Sequence, residues 1–154
     1  MDDYEVVAQE LSDLGEKLRT IEERLTEVER VNARLEDAAP GSDLFQAAMA
    51  LDEKFTGHRG FGHAKKSKLL HLKRPYLYPV SDSFIRMTYS SSSAGAEFLA
   101  AVHHDLVNPA NVRDFKLLQV RLIAEPATSA ARLLGEAPTL RLLDILASLL
   151  GEAK

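Results

Sequence analysis

Gly57-His58-Arg59-Gly60-Phe61-Gly62-His63-Ala64-Lys65-Lys66-Ser67-Lys68-Leu69-Leu70-His71-Leu72-Lys73-Arg74-Pro75 is the stretch on which the reading of this sequence turns. Three glycines within six residues let the backbone turn tightly, because glycine reaches conformations closed to other residues. From His63 to Lys73 there is neither Gly nor Pro, and Pro75 ends the helix that this run predicts. On the other side of the turn, Ser42 can cap a helix whose apolar face is Leu44, Ala47, Ala48, Leu51 and Phe55, up to Gly57. The stretch therefore reads as helix, tight turn and basic helix, over about residues 44–73.

The rest of the chain continues in helices. Tyr76-Leu77-Tyr78-Pro79-Val80 is a short extended connection, and a helix with Phe84, Ile85 and Met87 starts near Ser81-Asp82. Ser90 to Ser93 with Gly95 predicts a loop, followed by a helix over Ala96–Leu106. Asn108-Pro109 is a cap followed by a first-turn proline, and it opens a helix to Ala124 with Val112, Phe115, Leu118 and Leu122 as its stripe. Pro126 and Thr128 open a short helix that Gly135 should end. Pro138-Thr139 open the last, with Leu142, Leu143, Ile145, Leu146, Leu149 and Leu150 apolar and Gly151 as its stop. Strand signals are nearly absent and no segment repeats. The expected fold is all-α, with about six or seven short helices in a globular domain over residues 40–154 and a long arm over residues 1–39.

The arm reads as one helix over residues 3–37. Its apolar residues alternate three and four apart, with Tyr4, Leu11, Leu18, Leu25 and Asn32 at a and Val7, Leu14, Ile21, Val28 and Leu35 at d. A lone Asn at a often sets register, and Lys17 with Glu22 and Arg24 with Glu29 make attractive flanking pairs in a parallel arrangement. Such a helix would be roughly 50 Å long, which exceeds a small globule. Self-association through residues 4–35 is the expectation, with Leu11, Leu14, Leu18, Ile21, Leu25, Val28, Asn32 and Leu35 as its seam. Leu at a with Ile or Val at d leans toward trimers or tetramers and leaves the strand number open.

Charge separates the two parts. Residues 1–39 carry 12 acidic and 5 basic residues, a net −7, whereas residues 40–154 carry +3. Between Lys54 and Ser81 lie seven basic residues and no acidic one: Lys54, Arg59, Lys65, Lys66, Lys68, Lys73 and Arg74. A basic run in an acidic protein is a surface for an anionic partner or an ordinary solvated helix face. The chain has no Cys, which excludes disulfides, thiol catalysis and cysteine metal sites. His103 and His104 point about 100° apart on a helix, and His63 and His71 stand eight residues apart, so no histidine pair predicts a metal site. No cofactor is expected. No run approaches 18 apolar residues and Met1-Asp2-Asp3 is acidic, so no membrane span is expected and a cytoplasmic setting is.

Gly60-Phe61-Gly62 ahead of the Lys-rich helix makes a helix-hairpin-helix pattern. The glycines expose backbone N–H groups, Phe61 anchors the turn, and the next helix points its positive dipole end outward. With Pro79-Val80-Ser81-Asp82-Ser83-Phe84-Ile85-Arg86 added, the pattern resembles the core of the helix-hairpin-helix DNA glycosylase superfamily. That resemblance implies DNA contacts at Gly60, Phe61, Gly62, Lys65, Lys66, Lys68, Lys73 and Arg74. It also implies a catalytic carboxylate at Asp82, which would stabilise an oxocarbenium and activate water. Ala64 stands where the bifunctional members keep a Schiff-base lysine, so the implied enzyme is monofunctional. Asp82 is equally placed to cap the helix behind it, a role worth about 1 kcal/mol.

A closer resemblance is to an uncharacterised bacterial family of unknown function. It is carried by Gly60-Phe61-Gly62, Lys66-Ser67-Lys68-Leu69-Leu70, Lys73-Arg74-Pro75, Leu77-Tyr78-Pro79-Val80-Ser81-Asp82-Ser83-Phe84-Ile85-Arg86 and Leu140-Arg141-Leu142-Leu143-Asp144-Ile145-Leu146. The leading functional expectation is an oligomeric protein that grips the DNA backbone without reading sequence. The alternatives are a non-enzymatic assembly module whose basic helix meets an acidic protein surface, and a glycosylase-like enzyme using Asp82. In either binding reading, the acidic arm could cover the basic segment.

Overall fold

The computed structural model of the chain describes residues 33–54, 62–89, 95–124 and 128–153. Among these residues all regular structure is helical. A 3₁₀ turn at Leu35–Asp37 precedes seven α-helices: α1 (Asp43–Lys54), α2 (His63–Lys73), α3 (Ser83–Thr88), α4 (Ala96–Val107), α5 (Pro109–Ala124), α6 (Ser129–Glu136) and α7 (Thr139–Glu152). They belong to one compact unit, Ala33–Lys154. No helix among the described residues is long and apolar enough to cross a membrane.

Local chemistry explains most helix ends. Ser42 Oγ accepts from Phe45 N–H at 3.2 Å and opens α1. Asn108 Oδ1 accepts from Ala110 N–H at 3.0 Å ahead of the Pro109 start of α5. Thr128 Oγ1 accepts from Ala131 N–H at 3.1 Å and opens α6. Gly95 precedes α4 at φ +123°, a left-handed conformation that favours glycine. The core gathers around Leu35, Leu77, Val102, Leu106 and Leu140, all nearly inaccessible to solvent. α3 packs on α7 and α5 on α6, while α4 touches the 3₁₀ turn, α5 and α7.

Three expectations need correction. The helix expected over residues 3–37 does not reach its end: Arg34 is extended (φ −116°, ψ 147°), and Leu35–Asp37 form only a 3₁₀ turn. Leu35 is 0% exposed, and its N–H donates to the Tyr76 carbonyl at 2.9 Å. Burying a leucine is worth roughly 2 kcal/mol, which draws this residue into the globular core and out of a coiled-coil seam. The Arg34 guanidinium lies over the Tyr76 ring, 5.4 Å from its centre, and fastens the same segment. The other two corrections concern Gly135 and Gly151. Both lie inside their helices, buried, rather than past the ends. A β-carbon on Gly151 would collide with the Phe84 backbone, and one on Gly135 would fall 2.7 Å from Ile123 Cγ1. Each is a glycine because another segment passes too close for a side chain. The remaining seam residues, Leu11, Leu14, Leu18, Ile21, Leu25, Val28 and Asn32, lie outside the described residues.

Candidate functional site

Helix α2 has two faces of different chemistry. At 100° per residue, Lys65, Lys68 and Leu72 share one side, with Lys73 at its edge. All four are exposed, and Leu72 is the most exposed large apolar residue among the described residues, at 78%. The opposite side carries Lys66, Ser67 and Leu70, all buried. The helix starts at Gly62, which offers no side-chain cap. Its φ is −73°, and nothing among the described residues lies within 4 Å of an added β-carbon. The first-turn amides of His63 and Ala64 have no helical acceptor, as at every helix start.

Lys66 departs most from the sequence expectation. It is 4% exposed, and its Nζ donates to Asp52 Oδ2 at 2.7 Å, with the Asp52 carbonyl at 3.4 Å. Its charge is therefore committed to α1 instead of being offered to an outside phosphate. A buried ammonium is stable only when paired and hydrogen-bonded. Here the pair locks α2 to α1 in one register.

The connection after α2 is tied down by polar bonds. Ser67 Oγ accepts from Ser81 N–H at 3.0 Å, and its own proton is shared between the Ser81 and Ala64 carbonyls, each at 3.2 Å. His71 Nδ1 donates to the Tyr78 carbonyl at 2.7 Å, and Tyr78 Oη donates to the Ala48 carbonyl at 2.9 Å. Asp82 caps α3 by accepting from Ile85 N–H at 2.9 Å. That is the capping role the sequence allowed, and it accounts for the position of this carboxylate.

Sequence reasoning missed Asp144. It lies on α7, buried, and accepts from Val80 N–H at 3.0 Å. Burial pushes its carboxyl up to about 7, and the nearby Asp82 adds to this, while the Val80 bond and Arg141 oppose it. The one available signal was an acid inside the apolar run Leu142-Leu143-Asp144-Ile145-Leu146.

Behind the lysine face lies a small pocket of about 30 Å³. Asp52, His63, Lys66, Ser67 and Ser81 give it polar groups, while Met49, Leu70, Phe98 and Leu99 form an apolar wall. Ser81 Oγ is buried without a hydrogen-bond partner among the described residues. Burial lowers the His63 pKa, and Lys66 and Arg86 lower it further against the pull of Asp52. His63 is therefore neutral near pH 7. No group of three or more potential metal ligands occurs among the described residues.

Of the residues expected to touch DNA, Lys65, Lys68 and Lys73 are exposed on α2, Gly62 is at its start and Arg74 is half-exposed at its end. Gly60 and Phe61 lie outside the described residues. Comparison with protein families adds one match, a family of unknown function, DUF6308, over residues 4–151. The chain belongs to DUF6308. The match takes in almost the whole sequence, the heptad segment as well as the helical domain, and brings no activity with it. No curated protein and no solved structure matches the chain.

Proposed function

We propose that this DUF6308 protein binds the DNA backbone through the exposed face of α2. The observation that carries the proposal is the sorting of charge on that helix. Lys65, Lys68 and Lys73 are exposed, Lys66 is turned inward, and residues 55–81 contain no acidic residue. Lysine ammoniums on one helix face act as point charges for phosphate and carry no base readout. Gly62 supports the same reading. Nothing among the described residues lies within 4 Å of a β-carbon added there, and a helix start open in this way lets a phosphate oxygen reach the first-turn amides of α2. Self-association through the heptads of residues 4–28 would add avidity to weak single contacts.

Fluorescence anisotropy of a labelled duplex across a salt series tests this. Affinity should fall with salt, with a log–log slope of about −0.9 per phosphate engaged. Changing Lys65, Lys68 and Lys73 together to Gln should flatten that slope and weaken binding by at least tenfold at low salt. Gly62→Ala should weaken binding without lowering the melting temperature. Binding that ignores the triple change removes the proposal. Leu72 favours a second reading, an acidic protein partner with an apolar contact at the centre of the lysine face. Leu72→Ser separates the two, because it should leave DNA affinity intact and abolish a protein contact.

A further inference from the structure

The pocket on the inner side of α2 is lined by α1, α2, the connection leading to Ser81 and the start of α4. Its two opposite charges answer each other. Lys66 and Asp52 both line it, and they meet at 2.7 Å, so the pair gives an outside ion of either sign little to bind. The unmet hydrogen bond in the pocket belongs to a neutral group. Ser81 is 3% exposed, yet its hydroxyl makes no hydrogen bond among the described residues. A buried hydroxyl left unsatisfied destabilises a fold, and an alanine would avoid that cost. Opposite these polar groups, Met49, Leu70, Phe98 and Leu99 form a wall of carbon.

We propose that this pocket binds a short uncharged alcohol, with its hydroxyl bonded to Ser81 Oγ and its carbon tail against Leu70, Phe98 and Leu99. Each part of the ligand answers one feature of the pocket. Neutrality follows from the Lys66–Asp52 pair, because a charged ligand would lose its hydration and find no uncompensated counter-charge. A hydroxyl is the smallest group that can both donate to Ser81 Oγ and accept from it. The tail follows from the carbon wall. A buried water needs about two to four polar partners, and that wall supplies none, so water alone fills the pocket poorly. Size sets the length. One water needs about 10–15 Å³, so about 30 Å³ suits roughly three or four bonded non-hydrogen atoms, an alcohol of two or three carbons. A few polar groups set in an apolar lining are the usual make-up of a small-molecule site.

The test uses the full chain with methyl NMR of Met49, Leu70 and Leu99, titrated with propan-1-ol. Sodium propionate and propylammonium chloride at equal ionic strength carry similar tails on charged heads. The expected result is a saturable shift of the three methyl groups with propan-1-ol, none with either charged solute, and none at the exposed Leu133 on α6. Ser81→Ala should keep the melting temperature, because the hydroxyl it removes bonds to nothing described, and should weaken propan-1-ol about fivefold, as loss of one neutral hydrogen bond does. An absent shift would mean that the pocket holds water only and would overturn the proposal. So would equal shifts with all three solutes, an equal shift at Leu133, or unchanged propan-1-ol affinity in Ser81→Ala. A lower melting temperature in Ser81→Ala would also overturn it, by showing that the fold itself uses the hydroxyl. The Lys65, Lys68 and Lys73 triple Gln variant should bind propan-1-ol normally, so this site and the DNA face stand or fall separately.

Discussion

The two halves of the helical domain are held together by different physics. Around α1, α2 and the connection to Ser81, the joints are polar: Lys66 to Asp52, Ser67 to Ser81, His71 to Tyr78 and Tyr78 to Ala48. Around α3, α5, α6 and α7, helices approach closely over Gly135 and Gly151, beside two side-chain bonds, from Thr88 Oγ1 to the Ala147 carbonyl and from Gln119 Nε2 to the Ala137 carbonyl. Polar joints define direction and register, but they draw on desolvated groups and fail when one partner is lost. Glycine joints need no partner, and fail when an added atom meets something that cannot move aside. The lysine face and the pocket lie in the polar half, and the buried acid Asp144 lies on α7.

Gly151→Ala should break the glycine half most severely. Its new methyl meets the Phe84 backbone carbonyl, which cannot swing away as a side chain would. A loss of about 4 kcal/mol or more is expected by thermal or urea unfolding. A cost under 1 kcal/mol would mean that α3 and α7 part easily.

Asp52→Ala should break the polar half nearly as badly, at about 3–5 kcal/mol, because it removes the carboxylate that pairs with the buried Lys66 ammonium. Adding Lys66→Met in the same chain should recover most of that loss. A double-mutant cycle measures the coupling, and additive costs would sink the claim that the pair acts as a unit.

Asp144 bridges the halves, and its effect depends on pH. Its folded pKa of about 7 lies above the ordinary 3.8, so its contribution is complete below about pH 3.8 and is lost as pH rises through 7. The Asp144→Asn variant keeps an acceptor for Val80 N–H and removes the charge. Its melting temperature relative to the parent should therefore rise by several degrees between about pH 5 and pH 8. A constant difference across that range would show that Asp144 ionises normally.

Gly135→Ala should have the smallest effect. The nearest atom, Ile123 Cγ1, belongs to a half-exposed side chain that can move, although the Gln119 carbonyl at 3.1 Å gives less easily. Alanine also suits a helix interior better than glycine by about 1 kcal/mol. A net cost of about 1 kcal/mol or less is expected from chemical unfolding.

The elements were legible in the sequence because their ends are written locally. Ser42, Asp82, Asn108-Pro109 and Thr128 each act within three or four residues of chain, and Pro75 follows the last turn of α2. The same local signals misled at Gly135 and Gly151. A glycine near the end of an apolar run reads as a stop, and only the neighbouring segment reveals a packing contact. Within α2, periodicity puts Lys66 on the side opposite Lys65 and Lys68. It does not say which side faces the core, and lysine composition alone favours water for all three.

Local sequence is enough to show that the described part of this chain is helical, where most of those helices begin and end, and that positive charge is concentrated between Lys54 and Arg74. Those properties depend on neighbours along the chain. Tertiary structure alone decided that Lys66 pairs with Asp52, that Leu35 belongs to the core, that Ser81 sits buried over a pocket and that Asp144 reaches Val80. These pairs stand between 14 and 64 residues apart where a hydrogen bond joins them. Their chemistry comes from burial and from partners that meet only when the helices pack, and burial is what turns an ordinary lysine, serine or aspartate into a group with a constrained charge.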